Sequence, residues 1–136
     1  MIPKVLAYII QKNKILTFRH RDYPEAGIQV PAGTVDPGET PEEAVLREVA
    51  EESGLTTLHM QEKIGVFSYL HEQKKEWHER HVFILLPNNT LPERWTHTVT
   101  NGTDDKGLVF EYEWLPIAEK DQLESSQGVY FKGTQD

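Results

Sequence analysis

Seven acidic residues and one base lie between Gly33 and Leu55: Asp36, Glu39, Glu42, Glu43, Glu48, Glu51 and Glu52 against Arg47. Carboxylate oxygens are the ligands that hard divalent cations such as Mg²⁺ and Mn²⁺ prefer, so this density of charge points to metal chemistry. At 3.6 residues per turn, Glu48, Glu51 and Glu52 fall within an arc of roughly 100°. Glu48 and Glu52 are like charges at i,i+4, which weakens an isolated helix; a bound cation would reverse that effect. Gly33 sits where a small residue would let a backbone carbonyl approach a metal. Arg47 can pair with Glu51 or Glu43, or reach Glu39, and so hold the carboxylates in place. The competing reading is a solvated glutamate face, which is common on surface helices.

The helix that must carry these groups is well specified locally. It is expected over Pro41 to Ser53. Thr40 suits the N-cap, Pro41 the first helical position, and Glu43 completes a capping box. Gly54 can take the left-handed conformation that ends it. Val45, Leu46, Val49 and Ala50 cover much of the side opposite the glutamates, so one side is expected to pack.

Around this helix the chain reads as mostly strand. Val5 to Ile10 and Lys14 to Arg19 flank the polar turn at residues 11–14. Arg21 to Gly27 is a loop, and Gln29 to Pro31 is a brief extended piece. Lys63 to His71 and Trp77 to Leu86 read as a long hairpin. Pro87 to Lys106 is expected as a polar loop, Leu108 to Leu115 as a strand, and Pro116 to Glu124 as a short helix. Residues 125–136 carry weak signals and are expected as a loosely ordered tail. No repeat or linker divides the chain, so residues 1–136 are expected to form a single domain.

Composition narrows the function. The formal net charge is −8; residues 36–52 contribute −6 of it and the other 119 residues only −2. That balance argues against an extended nucleic-acid or anionic-membrane footprint, which needs clustered Lys and Arg. There is no cysteine, so disulfides and thiolate metal sites are excluded. The apolar run near the N-terminus is too short to span a bilayer and lacks the features of a signal peptide. A cytoplasmic protein with no membrane partner is expected.

The acidic segment resembles the Nudix box, Gly-x5-Glu-x7-Arg-Glu-U-x-Glu-Glu-x-Gly-U with U a bulky aliphatic. Gly33, Glu39, Arg47, Glu48, Val49, Glu51, Glu52, Gly54 and Leu55 fill its defined positions. The resemblance implies an α/β fold, the Nudix-type α/β/α sandwich with a mixed β-sheet. It implies a pyrophosphohydrolase that uses Mg²⁺ (or Mn²⁺) to cleave a nucleoside diphosphate linked to another moiety, by water attack at phosphorus. Carried over residue by residue, Glu48, Glu51 and Glu52 are implied metal ligands, with the Gly33 carbonyl a further candidate. Arg47 and Glu39 are implied orienting partners. The implied partner is a small nucleotide-type substrate, and the implied state is a monomer or homodimer.

Two questions stay open at this level. The general base is expected to be a box glutamate, Glu48 or Glu52, but Glu72, Glu76, Glu79, Asp104, Asp105 and Glu111 are later acids that could serve. The substrate contacts are also undetermined. Arg19 and Arg21 form a short basic cluster that could hold distal phosphates; a solvated strand end or a salt bridge to the acidic helix is the alternative. Tyr69, Trp77, Phe110 and Tyr112 could stack on a base, although aromatics in strand segments are more often core. His71, His78 and His81 do not match a zinc spacing. The loop containing Trp95, His97 and residues 102–107 is the preferred specificity element. A catalytically silent Nudix domain that binds a nucleotide or metabolite as a regulatory module is the alternative function. Gly33 and Gly38 have the spacing of a Walker glycine pair, but Glu39 stands where the phosphate-binding Lys should be, which excludes a P-loop.

Overall fold

Strand β1 (Ile2–Gln11) is the spine of the molecule. Its residues Val5 to Ile9 are all buried, the continuous apolar run expected of a strand covered on both faces. The structure, a computed structural model, describes residues 1–100 and 105–131. β1 turns into β2 (Lys14–His20) through Lys12 and Asn13, both at positive φ, as a tight two-residue hairpin requires. The remaining strands are β3 (Ala32–Thr34), β4 (Leu58–His71), β5 (Glu76–Pro87), β6 (Trp95–Thr98) and β7 (Val109–Pro116). Among the described residues there is one α-helix, α1, at Pro41–Ser53.

The sheet runs β4-β5-β1-β2-β7-β6, with β3 added on β1. It is mixed: β1 and β5 are parallel, from Ile2 opposite His78 to Ile9 opposite Leu85. The other pairings are antiparallel. On one edge β1 meets β3 at Lys4 to Leu6 and β2 only at Ile10 and Gln11. The alternation of side chains along each strand splits the core in two. Val5, Ala7, Ile9, Leu16, Phe18, Phe83 and Leu85 pack against Ala44, Val45 and Val49 of α1. Leu6, Tyr8, Ile15, Val30, Val82 and Leu115 face the other way and pack with Leu123 and Phe131. This is the α/β/α layering expected, with the second helical layer reduced to 3-10 turns at Ile117–Gln122 and Glu124–Ser126.

Several elements differ from the sequence reading. The segment 87–107 is not all loop, because β6 adds four residues to the sheet edge against β7. The short helix expected over Pro116 to Glu124 is present as a 3-10 helix at Ile117–Gln122. Residues 125–131 are not a loose tail: Gln127 and Phe131 are buried, and the Gln127 side chain accepts from Val30 N at 2.9 Å. The Tyr8 hydroxyl also donates to the Gln127 carbonyl. Residues 132–136 lie outside the described residues. On α1, Leu46 is exposed rather than packed. Among the described residues, no helix is long and apolar enough to cross a membrane.

Candidate active site

Helix α1 starts and stops where its local chemistry dictates. Glu43 N donates to Thr40 Oγ1 at 3.1 Å, and Thr40 N donates to Glu43 Oε1 at 2.9 Å, a complete capping box. Such a cap is worth about 1 kcal/mol. At the other end Gly54 has φ 81°, a conformation that favours glycine, and its N–H donates to Ala50 O. The helix is therefore fixed in register, and with it the glutamates of its last two turns.

Arg47 gathers the acids around itself. Nε donates to Glu39 Oε2 at 2.7 Å and Nη2 to Glu39 Oε1 at 3.0 Å, a bidentate fork. Nη2 also donates to the Thr34 carbonyl at 2.9 Å, which ties α1 to β3. Nη1 donates to Glu48 Oε2 and to Glu51 Oε1, each at 3.2 Å. Asp36 stands 3.5 Å from Nη2, and Glu39 Oε1 in turn accepts from Asp36 N at 2.9 Å. Hydrogen bonding to Arg47 is the main cause that holds the Glu39 carboxyl below the usual range. Glu43, the other partner considered for Arg47, is occupied by the cap instead.

Glu48 and Glu52 face one another beside β3. Burial raises both carboxyls above the ordinary carboxylate range, Glu52 by more, and the adjacent Glu48 charge adds to the effect on Glu52. Glu52 is only 5% exposed, and its Oε1 accepts from Ala32 N at 3.3 Å. Glu48 occupies the space where a Cβ on Gly33 would lie; any side chain there would overlap its carboxyl. A side chain on Gly33 would therefore push the Glu48 carboxyl out of this position. Among the described residues, no three acidic, histidine or cysteine side chains already converge at cation-holding spacing, and Glu51 is turned to Arg47.

The helix end that bears these groups is held by three aromatic donors from the β6–β7 edge. His97 Nε2 bonds the Glu51 carbonyl at 3.0 Å, the Tyr112 hydroxyl donates to the Glu52 carbonyl at 2.6 Å, and Trp95 Nε1 donates to the Ser53 carbonyl at 3.1 Å. These are carbonyls near the helix C-terminus, where acceptors lose their in-helix donors. Trp95 stacks on Tyr112 with centroids 5.1 Å apart and an interplanar angle of 7°.

A family model described as NUDIX domain matches residues 2–132. The chain belongs to the Nudix family. It is 37% identical over 68 residues to an 8-oxo-dGTP diphosphatase of Escherichia coli, covering 50% of this chain and 45% of that one. It is 33% identical over 107 residues to diphosphoinositol polyphosphate phosphohydrolase 3-alpha of Mus musculus, covering 79% and 57%. The chain thus spans about half the length of the curated relatives it matches. A solved NUDIX hydrolase from Nitrosomonas europaea shares the fold at a TM-score of 0.66 and 23% identity, covering 91% of this chain and 80% of that one.

The other side chains considered for the Nudix site are scattered. Arg19 is exposed and pairs in register with Glu111, lining a separate depression with Arg94 and Trp95. Arg21 is exposed and bonded to Asp22 at 3.1 Å. Phe110 and Tyr112 are buried, so neither is a free stacking surface. Trp77 is 53% exposed but alternates with its neighbour His78 to the opposite face of the hairpin. Of the later acids, Glu76 and Glu79 are paired with His78 and His81. Asp105 contributes to raising the Glu52 carboxyl, which brings the loop before β7 to this Nudix site. Asp104 lies outside the described residues.

Tyr69 alone among the proposed substrate contacts lies in a pocket that adjoins Gly33. This pocket, of about 230 Å³, is lined by Lys4, Tyr69, His71, Lys74, His78 and Arg80 along with Gly33. Lys4, Lys74 and Arg80 come from three separate places in the sequence and meet only in the fold. The one available signal was register: a parallel β1–β5 pairing sets Lys4 beside Arg80.

Proposed function

We propose that this chain is a divalent-metal-dependent pyrophosphohydrolase that cleaves the P–O–P bridge of a nucleoside diphosphate linked to another group. The observation that carries the reading is the pairing of buried Glu52 with half-buried Glu48 against Gly33, with Glu51 held beside it by Arg47. The two relatives described above are named as a diphosphatase and a phosphohydrolase, consistent with a diphosphate-bearing substrate.

The residues present fit a hard cation. Two facing carboxylates whose ionised forms are disfavoured by burial and mutual repulsion are a donor set that a divalent ion would relieve. Glu48, Glu51 and Glu52 would hold Mg²⁺ or Mn²⁺, with the Gly33 carbonyl as a further ligand. When bound, the ion supplies charge neutralisation at the diphosphate and a water of lowered pKa. The protein's own residues do the rest. Arg47 and Glu39 fix the carboxylates, and the β6–β7 donors fix the helix end. A Glu48 or Glu52 carboxylate takes the proton from the attacking water. The new bond is water oxygen to phosphorus; the bond broken is phosphorus to bridging oxygen, whose electrons leave with the departing phosphate. Positioning and electrostatics carry most of such a reaction.

The test is a panel of nucleoside triphosphates, nucleotide sugars and dinucleoside polyphosphates assayed with Mg²⁺ and Mn²⁺, with products identified in ¹⁸O-labelled water. Release of a monophosphate carrying one labelled oxygen is the expected result. Glu52→Gln and Glu48→Gln should lower kcat by at least 10²-fold, the lower end for positioned acid–base catalysis. Asp105→Asn should cost much less. Tight binding of one ligand without turnover in either metal would instead establish a silent binding module.

A further inference from the structure

The pocket beside Gly33 is basic in an acidic protein. Lys4 and Arg80 are register partners on one sheet face, and Lys74 overhangs them from the β4–β5 turn. Among the described residues, none of the three has a carboxylate within ion-pair distance. Their mutual repulsion contributes to lowering the Lys4 ammonium pKa, after burial. Glu76 and Glu48 are near enough to act on Lys4, but they are paired with His78 and Arg47 instead, which leaves three cations prepared for an anion.

Arg80 is built into place rather than left to solvent. Its guanidinium lies over the Tyr69 ring, 4.6 Å from the centroid, and 5.9 Å from the Tyr130 centroid. Nη2 donates to the Tyr69 hydroxyl at 3.0 Å, while Nε is buried without a partner. The Tyr69 hydroxyl lies 2.9 Å from His78 Nδ1, and His78 Nε2 lies 2.8 Å from Glu76 Oε1. With Glu76 as acceptor, Nε2 carries the proton and Nδ1 accepts from Tyr69. The chain of contacts orients the arginine plane, and a planar fork suits phosphate oxygens. Lys4 Nζ donates to Thr34 Oγ1 at 2.7 Å, which anchors the second cation to β3.

We propose that Lys4, Lys74 and Arg80 form a subsite for a phosphate group lying beyond the cleaved bridge, so that the preferred substrate carries at least one phosphate more than the diphosphate itself. This rests on the hydrolase reading of the adjoining carboxylates. Gly33 is shared by both places: its backbone borders the cations, and Glu48 fills the space its missing Cβ would take. A substrate can therefore lay its bridge on the carboxylate side and its extra phosphate among the cations. A nucleoside triphosphate satisfies this, as does a ring compound bearing several phosphates. A nucleoside diphosphate sugar does not, because a neutral sugar would enter the pocket.

The experiment has two arms on the full chain. In the first, kcat and KM are measured for a nucleoside triphosphate, a diphosphoinositol polyphosphate and a nucleoside diphosphate sugar, with wild type, Lys4→Met, Lys74→Ala and Arg80→Lys. At least one phosphate-rich substrate should be preferred over the sugar. On it each variant should raise KM about tenfold or more, the scale of a lost charge-assisted hydrogen bond. On the sugar the change should stay within about threefold, since no charge-assisted bond is made there. In the second arm, inorganic tripolyphosphate is titrated by calorimetry with EDTA present; wild type should bind it and Lys74→Ala, an exposed change that spares the fold, should bind it at least severalfold more weakly. Equal losses on all substrates, or tripolyphosphate binding unchanged by any variant, overturns the subsite. Tripolyphosphate binding that depends on these residues, with no hydrolysis of any substrate, supports the subsite and overturns the hydrolase reading instead.

Discussion

The Tyr112 hydroxyl donates to the main-chain carbonyl of Glu52 at 2.6 Å, from a strand at the far side of the sheet to the helix that carries the candidate metal ligands. Both side chains are buried. Removing the donor leaves a buried carbonyl unsatisfied. Tyr112→Phe should therefore cost about 1–3 kcal/mol of stability, read from urea unfolding as a lower midpoint with an unchanged slope. The same variant should weaken Mg²⁺ binding, because the helix end is less well fixed. A change in neither would show that the bond is dispensable.

Gly33 is tested by the smallest possible side chain. Gly33→Ala puts a methyl group into the volume of the Glu48 carboxyl. That carboxyl is the far end of a flexible side chain and can swing aside, so the cost in stability should be small. The displaced carboxylate matters more than the strain: activity should fall on the order of 10²-fold, as for a catalytic group misplaced by about 1 Å. Wild-type turnover with a folded variant, judged by thermal melting, would remove Gly33 from the site.

Arg47→Lys keeps the charge and loses the fork. Lysine cannot hold both oxygens of Glu39 while also bonding Thr34 O, Glu48 and Glu51. An orienting residue of this sort is worth about 10–100-fold in metal affinity or activity. The expected signature is a Mn²⁺ titration shifted to higher concentration together with a lower kcat. A shift in thermal stability alone, with the titration unmoved, would reduce Arg47 to a structural role.

The Glu48–Glu52 pair makes stability depend on pH with a definite sign. Both carboxyls are raised in the folded protein, mainly by burial. The folded state thus holds protons that the unfolded chain releases near pH 4.3 (about the free glutamate value). In EDTA, stability should fall as pH rises from there through the raised values of the pair. Cation binding requires the ionised pair, so the rise in Tm caused by Mg²⁺ should grow over the same window. Glu52→Gln should flatten both curves. A Mg²⁺ effect that is constant with pH would contradict this pair as ligands.

Sequence alone was sufficient where the determinants are local. Thr40, Pro41, Glu43 and Gly54 are all within the helix they delimit, and its bounds are Pro41–Ser53 in the structure. The Arg47–Glu39 bond was equally legible, since both residues lie in one motif. Strand β6 was not, because Trp95 to Thr98 is short, polar at alternate positions and exists only by pairing with β7. Gln127 and Phe131 gave no signal either; their burial depends on a sheet face formed by residues far away in the chain. The basic pocket was hidden for the same reason. Arg19 and Arg21 stood out because they are adjacent, whereas Lys4, Lys74 and Arg80 are adjacent only after folding.

The parallel pairing of β1 with β5 also sets the order in which the molecule can form. Val5 cannot meet His81 until the long stretch of chain between them has been brought round. Such distant pairing closes a large loop before it is rewarded, which slows folding. During synthesis β1 emerges before β5 and must wait for that neighbour, exposed to other strands or to chaperones. The strand that ends as the most protected part of the protein is thus its most vulnerable part while the chain is being made.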